Sequence, residues 1–277
     1  MKLKEVTQLR ADCENCFGLC CVALPFGKSA DFPCNKDGGE PCSNLQKDYR
    51  CSIHGDLREN GYKGCTVFEC FGAGQKVSQF TFAGESWRET SEKAEMMFKV
   101  FPVVHQLHEM LWYLNEALSI EACRKIHADL LNMSKETEAL TLEESEDILR
   151  IDVVLHRFRV NELLVRAGEQ VRKEALEIYH LNPKKKMNFR SADLMGKNLK
   201  TSDFRGANFR GAYLIAADLR DSDFRMAEMI GADMRDADVR GADFSKSLFL
   251  TQVQINAAKG DSKTKLPPGI KYPLHWS

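Results

Sequence analysis

No stretch of the 277 residues stays apolar long enough to cross a bilayer, which excludes a membrane-spanning helix and predicts a water-soluble chain. The opening Met1-Lys2-Leu3-Lys4-Glu5-Val6 lacks the apolar core of a secretory leader, so a cytoplasmic location is expected. Charge of one sign is missing too. With 39 basic against 40 acidic side chains there is no long-range field to gather nucleic acid, and the only basic run, Lys184-Lys185-Lys186, reads as a solvated joint. The sequence offers no nucleophile–base pair, no paired catalytic carboxylates and no nucleotide cradle. Phe71-Gly72-Ala73-Gly74-Gln75-Lys76 contains Gly-x-Gly without the strand, further glycine and lysine spacing of a phosphate loop, and reads as a turn leading away from the head. The Cys-x3-Cys-x2-Cys pattern of radical enzymes is absent. The balance leans away from an enzyme without excluding one.

Cysteine, by contrast, is plentiful and uneven: nine of the ten lie before residue 71. In a reducing compartment that clustering points to metal rather than to disulfides. Thiolates two to four residues apart on a glycine-rich loop can converge on one soft ion. The candidate ligands are Cys13, Cys16, Cys20, Cys21, Cys34, Cys42, Cys51, His54, Cys65 and Cys70. Cys13, Cys16, Cys20 or Cys21, Cys42, Cys51 and Cys65 come first, with Cys34, Cys70 and His54 next. This is more than one four-coordinate ion uses, so either two sites share the donors or some are spectators. The run Cys13-x2-Cys16-x3-Cys20-Cys21, followed by Pro41-Cys42-Ser43-Asn44-Leu45, Cys51-Ser52-Ile53-His54 and Gly64-Cys65-Thr66-Val67-Phe68, resembles the zinc- or iron-chelating cysteine-cluster family (YkgJ-like). It departs from that family at His54, where tyrosine is usual, and in the longer link to Cys65. The resemblance implies zinc or an iron–sulfur cluster; a structural zinc would make the front unit fold only with metal.

From Trp87 to Tyr179 the pattern is helical. Val103, Leu107, Met110, Leu111, Leu114 and Leu118 step by three and four onto one face. Breaks are expected at Pro102, in residues 134–141 and at Pro183, with Thr141-Leu142-Glu143-Glu144 opening the next helix as a capping box. Leu149, Val153, Leu155, Phe158, Leu163, Leu164, Val171, Leu176 and Ile178 continue the apolar period, giving three or four helices. His105, His108 and Glu109 share a turn but read as core or surface rather than ligands, and Cys123 as a small buried apolar residue.

Residues 187–250 repeat every five positions without slipping. Phe189, Leu194, Leu199, Phe204, Phe209, Leu214, Leu219, Phe224, Met229, Met234, Val239, Phe244 and Phe249 form an unbroken apolar series, with a small residue two places before all but the first and third. Neither a helix nor a strand has this period; a coil with five-residue sides does. Units such as Ala207-Asn208-Phe209-Arg210-Gly211 resemble pentapeptide-repeat proteins. That resemblance implies a right-handed quadrilateral β-helix of a little over three twenty-residue turns, about 4.8 Å apart, with the apolar and the small residue both inward. Lys200, Arg220 and Arg240 should stack in one column and Arg205 under Arg225, countered by the Asp or Asn before most centres. With ten charges of each sign the segment is neutral, a poor imitation of DNA. Thr251 to Gly260 reads as an N-cap, a short helix and a glycine stop that caps the coil, and the tail to Trp276 as packing over it.

The expected fold is multidomain α+β: a Cys-rich metal-binding head (1–85), an α-helical domain (86–186), a pentapeptide-repeat β-solenoid (187–250), and a cap and tail (251–277). The expected function is a cytoplasmic metal-binding protein, holding zinc or iron/iron–sulfur, whose solenoid docks a protein partner. An iron-dependent enzyme modifying a protein or peptide and a topoisomerase-interacting protein are the alternatives.

Overall fold

The head takes its shape from an apolar cluster that it shares with a long helix. The structure, a computed structural model, describes residues 9–182 and 187–276; the opening Met1–Val6, Pro183 and the Lys184–Lys186 run lie outside them. Contacts divide the chain into two units. One takes in the described residues up to Ser119 together with His127–Leu163, the other Ile120–Ile126 together with those from Leu164 onward. The expected helical domain is thus no unit of its own, and its helices are apportioned between the two.

In the first unit the head is made of short turns, among them Cys13–Asn15, Leu19–Val22, His54–Asp56, Lys63–Thr66, Ala73–Gln75 and a π-helical turn, Lys76–Thr81. Leu19, Val22, Ala73 and Val77 are fully buried against Met97, Val100 and Val104 of helix α1 (Ser91–Ser119). Side chains of this size stabilise by roughly 1.5–3 kcal/mol each when buried, so α1 gives the head an apolar core that its own residues are too few to supply. Pro102 does not break α1. It removes one amide from the ladder, and the surrounding packing holds the helix through it. Helix α2 (His127–Leu140) packs on α1 and runs through the expected break. The anticipated capping box is not formed: the Thr141 hydroxyl donates to the Glu138 carbonyl at 2.7 Å, ending α2, and the next short turn, Ser145–Ile148, has no side-chain cap. Helix α3 (Val153–Ile178) begins with Val154, Leu155 and Phe158 at the surface, contrary to the apolar period read for Leu155 and Phe158.

In the second unit residues 188–248 coil with a twenty-residue register. Parallel bridges join Asn188 to Asn208, Asp193 to Tyr213, Asn198 to Asp218 and Asp203 to Asp223, and so on up to Glu228 with Leu248. Each is an isolated bridge, and among the described residues no side of the coil forms a continuous strand. The reason is local. The residue two after each centre from Phe189 to Val239 takes a left-handed conformation, as at Gly196, Gly206, Gly211, Gly231 and Gly241, and also at Ser191, Thr201, Ala216, Asp221, Met226 and Asp236. A corner every five residues leaves about one residue per side free to bridge. Glycine suits the corner because a side chain there costs about 1 kcal/mol. Inside, Phe209, Leu214, Leu219, Phe224, Met229, Val239 and Phe244 are fully buried with Ala207, Ala212, Ala217, Ala227, Ala237 and Ala242, as the period predicts. Outside, Asp203, Asp218, Asp223, Asp233 and Asp238 are each held by the arginine two residues on, Arg220 reaching Asp218 at 2.6 Å and Arg225 reaching Asp223 at 2.6 Å. The stacked arginines are therefore neutralised within their own five-residue units, whereas Lys200, with Asn198 two places before it, reaches Asp221 at 3.7 Å.

Helix α4 (Gln252–Ala257) caps the coil. Thr251 and Gln254 form a capping box, and the helix closes at Ala258, ahead of Gly260. Trp276 donates from its indole to the Ala258 carbonyl at 3.0 Å, laying the tail over the end as expected. The later part of α3 buries Leu164, Ala167, Val171 and Ala175 in this unit, and Cys123 is fully buried as anticipated.

Candidate metal centre

The head brings most of its thiols into one neighbourhood centred on Cys20. Gly18, at φ +67, turns the chain into the short helix carrying Cys20 and Cys21; a Cβ there would meet the Tyr49 carbonyl at 2.8 Å, so only glycine fits. The Cys42 amide donates to the Cys21 carbonyl at 2.9 Å, joining a second segment to the first. Gly74 packs against Cys16, where a Cβ would lie 2.6 Å from the sulfur.

Electrostatics trace the grouping. Burial pushes the Cys13 thiol up to about 11, and the neighbouring Cys20 and Cys16 thiols add to it. Burial first and then Cys20, Cys42 and Cys51 push Cys65 up to about 12. Burial, followed by Glu69 and Cys20, does the same for Cys70, to about 12. Cys16 and Cys51 are raised by burial, with Cys20 again contributing. Cys20 is itself raised well above the thiol range, chiefly by its hydrogen bond with Cys21 at 3.8 Å. Opposing this, backbone amides favour the thiolates: those of Leu19 and Gly18 at Cys16, Ile53 at Cys51, and Gly74 and Gly72 at Cys70. The Gly-x-Gly segment is thus part of the thiol neighbourhood rather than a turn leading away from it.

Two predicted residues stand apart. Cys34 is exposed, its sulfur 3.7 Å from the Tyr62 hydroxyl, and His54 is exposed in its own turn. The donor chemistry suits a soft ion, but the placement of the sulfurs does not form its shell: among the described residues no three His, Cys, Asp or Glu side chains stand as a group able to hold one. Cys20 pairs with Cys21, Cys34 with Tyr62 and Cys16 with the Ser78 hydroxyl, instead of turning lone pairs to a common point.

Several partners were not legible beforehand. Lys36 is 8% exposed, and its ammonium donates to the carbonyls of Val22, Asp37 and Glu40 at 3.2, 2.9 and 3.0 Å, with the Cys42 and Cys21 thiols nearby. His105 and His108 each bind a backbone carbonyl. Their ring nitrogens donate to the carbonyls of Glu69 and Phe71 at 2.8 and 2.7 Å, clamping both sides of Cys70 to α1. Glu109 pairs with Arg157 at 2.9 Å. The spacing of the two histidines was visible; that their acceptors would be backbone carbonyls was not.

Comparison with known proteins bears on the repeat segment and on the whole chain. The family described as "Pentapeptide repeats" matches residues 188–221 and 212–249, in eight copies. The uncharacterized protein YybG of Bacillus subtilis (strain 168) is 59% identical over 268 residues, covering 97% of this chain and 95% of that protein. Among solved structures, alr5209, a pentapeptide repeat protein from Nostoc Pcc 7120, is 27% identical, covering 36% of this chain and 87% of that one with a TM-score of 0.18. HetL, a pentapeptide repeat protein involved in heterocyst differentiation regulation in Nostoc sp. strain PCC 7120, is 17% identical, covering 30% of this chain and 54% of its own, with a TM-score of 0.10. With identity this high along nearly its whole length, the chain belongs to the family of YybG, and its residues 188–249 are pentapeptide repeats.

Proposed function

We propose that this is a cytoplasmic metal-binding protein in which the head thiols take up zinc or an iron–sulfur cluster, while the repeat coil serves as a scaffold for a protein partner. The coil is read as the right-handed four-sided β-helix of pentapeptide-repeat proteins, on the strength of its twenty-residue register. The observation that carries the metal reading is that the Cys20 thiol is an electrostatic neighbour of Cys13, Cys16, Cys51, Cys65 and Cys70, residues drawn from three separate segments. Amides already aimed at Cys16, Cys51 and Cys70 would hold thiolates in place, a supporting shell commonly found around metal-bound sulfur. A bound zinc would supply a structural staple, and a bound iron–sulfur cluster an electron-transfer centre.

Because Cys13, Cys65 and Cys70 keep their protons up to about 11, 12 and 12, loading must expel them, and apparent affinity should climb steeply with pH. Cobalt(II) titration of the reduced chain tests this: an intense near-ultraviolet thiolate-to-cobalt band is expected, saturating at one or two ions and lost in Cys20→Ser/Cys65→Ser. A titration without that band would remove the metal reading.

A further inference from the structure

The two ends of the coil are unlike. At the C-terminal end the Gln254 side chain donates to the carbonyls of Met229 and Ala232 at 2.7 and 2.9 Å, and the amides of Lys259 and Lys265 pair with the carbonyls of Ala237 and Ala242. The other end is left open at Asp193 and Asn198 among the described residues. In the body of the coil the amide just before each centre reaches back to the preceding turn, Tyr213 to the Ala192 carbonyl and Asp218 to that of Lys197. The equivalent amides of the first turn, at Asp193 and Asn198, find no acceptor among the described residues. The centres follow suit: Phe209, Leu214 and Leu219 are fully buried, but their first-turn counterparts Phe189, Leu194 and Leu199 are only partly covered.

Charge is graded along the same axis. Residues 187–206 carry four basic and two acidic side chains, whereas residues 227–246 carry three basic and five acidic. Around the open end Arg190 and Lys197 are exposed with no ion-pair partner among the described residues, and Lys200 meets Asp221 only at 3.7 Å. An apolar floor with unpaired backbone donors and a cationic rim is a polarised surface.

We propose that this open end docks an extended, acidic peptide segment of a partner protein. Its backbone carbonyls would accept from the free amides as an added edge. Its apolar side chains would cover Phe189, Leu194 and Leu199, and its carboxylates would meet Arg190, Lys197 and Lys200. A second copy of the chain is the poorer occupant, since two such ends would press like charges together. The inference deepens the scaffold half of the reading above and makes no use of the thiols.

The test is fluorescence anisotropy on the full chain with a labelled ten-residue peptide alternating leucine and glutamate, beside its leucine–lysine counterpart. The acidic peptide binds saturably, about tenfold more weakly in Lys197→Glu/Lys200→Glu and about tenfold more weakly as salt rises from about 50 to about 300 mM; the lysine peptide does not bind. Leu194→Asp weakens binding as well, and circular dichroism checks that both variants fold. Three results overturn the inference: no saturable binding of the acidic peptide, equal binding of both peptides or of the charge-reversed variant, or light scattering showing a dimer that Leu194→Asp dissociates. Metal content measured on the same samples keeps the two ideas apart, because metal retained without peptide binding removes this one alone.

Discussion

Glu228 stands where most five-residue units carry aspartate or asparagine, and its extra methylene lets it accept from two arginines, Arg210 at 2.7 Å on the coil and Arg172 on α3. The carboxylate is 2% exposed, Arg210 10% and Arg172 23%. Gly168 of α3 makes room for it, since a Cβ there would lie 2.3 Å from the carboxylate oxygen. Glu228→Gln keeps the shape but leaves two guanidiniums facing each other without their counter-charge, a loss that costs about 3–5 kcal/mol when a buried pair is broken. Arg172, the more exposed of the two, can turn to water, which places the cost near 3 kcal/mol. In a unit of this size that is a fall of roughly 10 °C in Tm, read by calorimetry. Replacing all three, as Glu228→Leu/Arg172→Met/Arg210→Met, should return Tm close to the parent, because no charge is then stranded. A shift under about 2 °C in Glu228→Gln would refute the claim that this triad fixes α3 to the coil.

Phe224→Ala removes a fully buried ring that sits 4.6, 5.1 and 5.4 Å from the rings of Phe244, Phe204 and Phe209, and should cost about 3–5 kcal/mol in denaturant unfolding. Gly74→Val forces the Cys16 sulfur away from its place 2.6 Å from the new Cβ, so thiol alkylation should show Cys16 reacting faster than in the parent. The Arg220 hydrogen bond holds Asp218 down at about 2; a carboxylate depressed on folding stabilises above the unfolded value near 4 and loses that contribution as pH falls to about 2, so Asp218→Asn should flatten this limb of the acid-unfolding curve. Burial holds His108 at about 4 and therefore neutral. The unfolded chain takes up that proton first, so the unit weakens as pH falls from about 6.5 to 4, and His108→Gln should remove this dependence.

The coil was legible because each five-residue unit solves its packing locally: the inward centre, the small residue and the corner glycine all lie within five positions. What escaped was non-local. Nothing in the neighbourhood of Glu228 announces that its carboxylate reaches a helix more than fifty residues earlier, and nothing around Pro102 shows that the packing of Met97, Val100 and Val104 would carry α1 through it. Spacing placed Cys13, Cys16, Cys20 or Cys21, Cys42, Cys51 and Cys65 ahead of Cys34, Cys70 and His54; the direction of each sulfur was not legible, because hydrogen bonds to Cys21, Ser78 or Tyr62 decide it. Lys36 was missed because a lone lysine among acidic neighbours carries no mark of the three carbonyls that bury it.

Elemental analysis of protein purified without oxygen, together with its visible spectrum and a count of alkylatable thiols, tests the central claim most directly. One or more zinc or iron per chain is expected, with most head cysteines protected until a chelator is added. A folded, metal-free protein whose head thiols all react at once would contradict it.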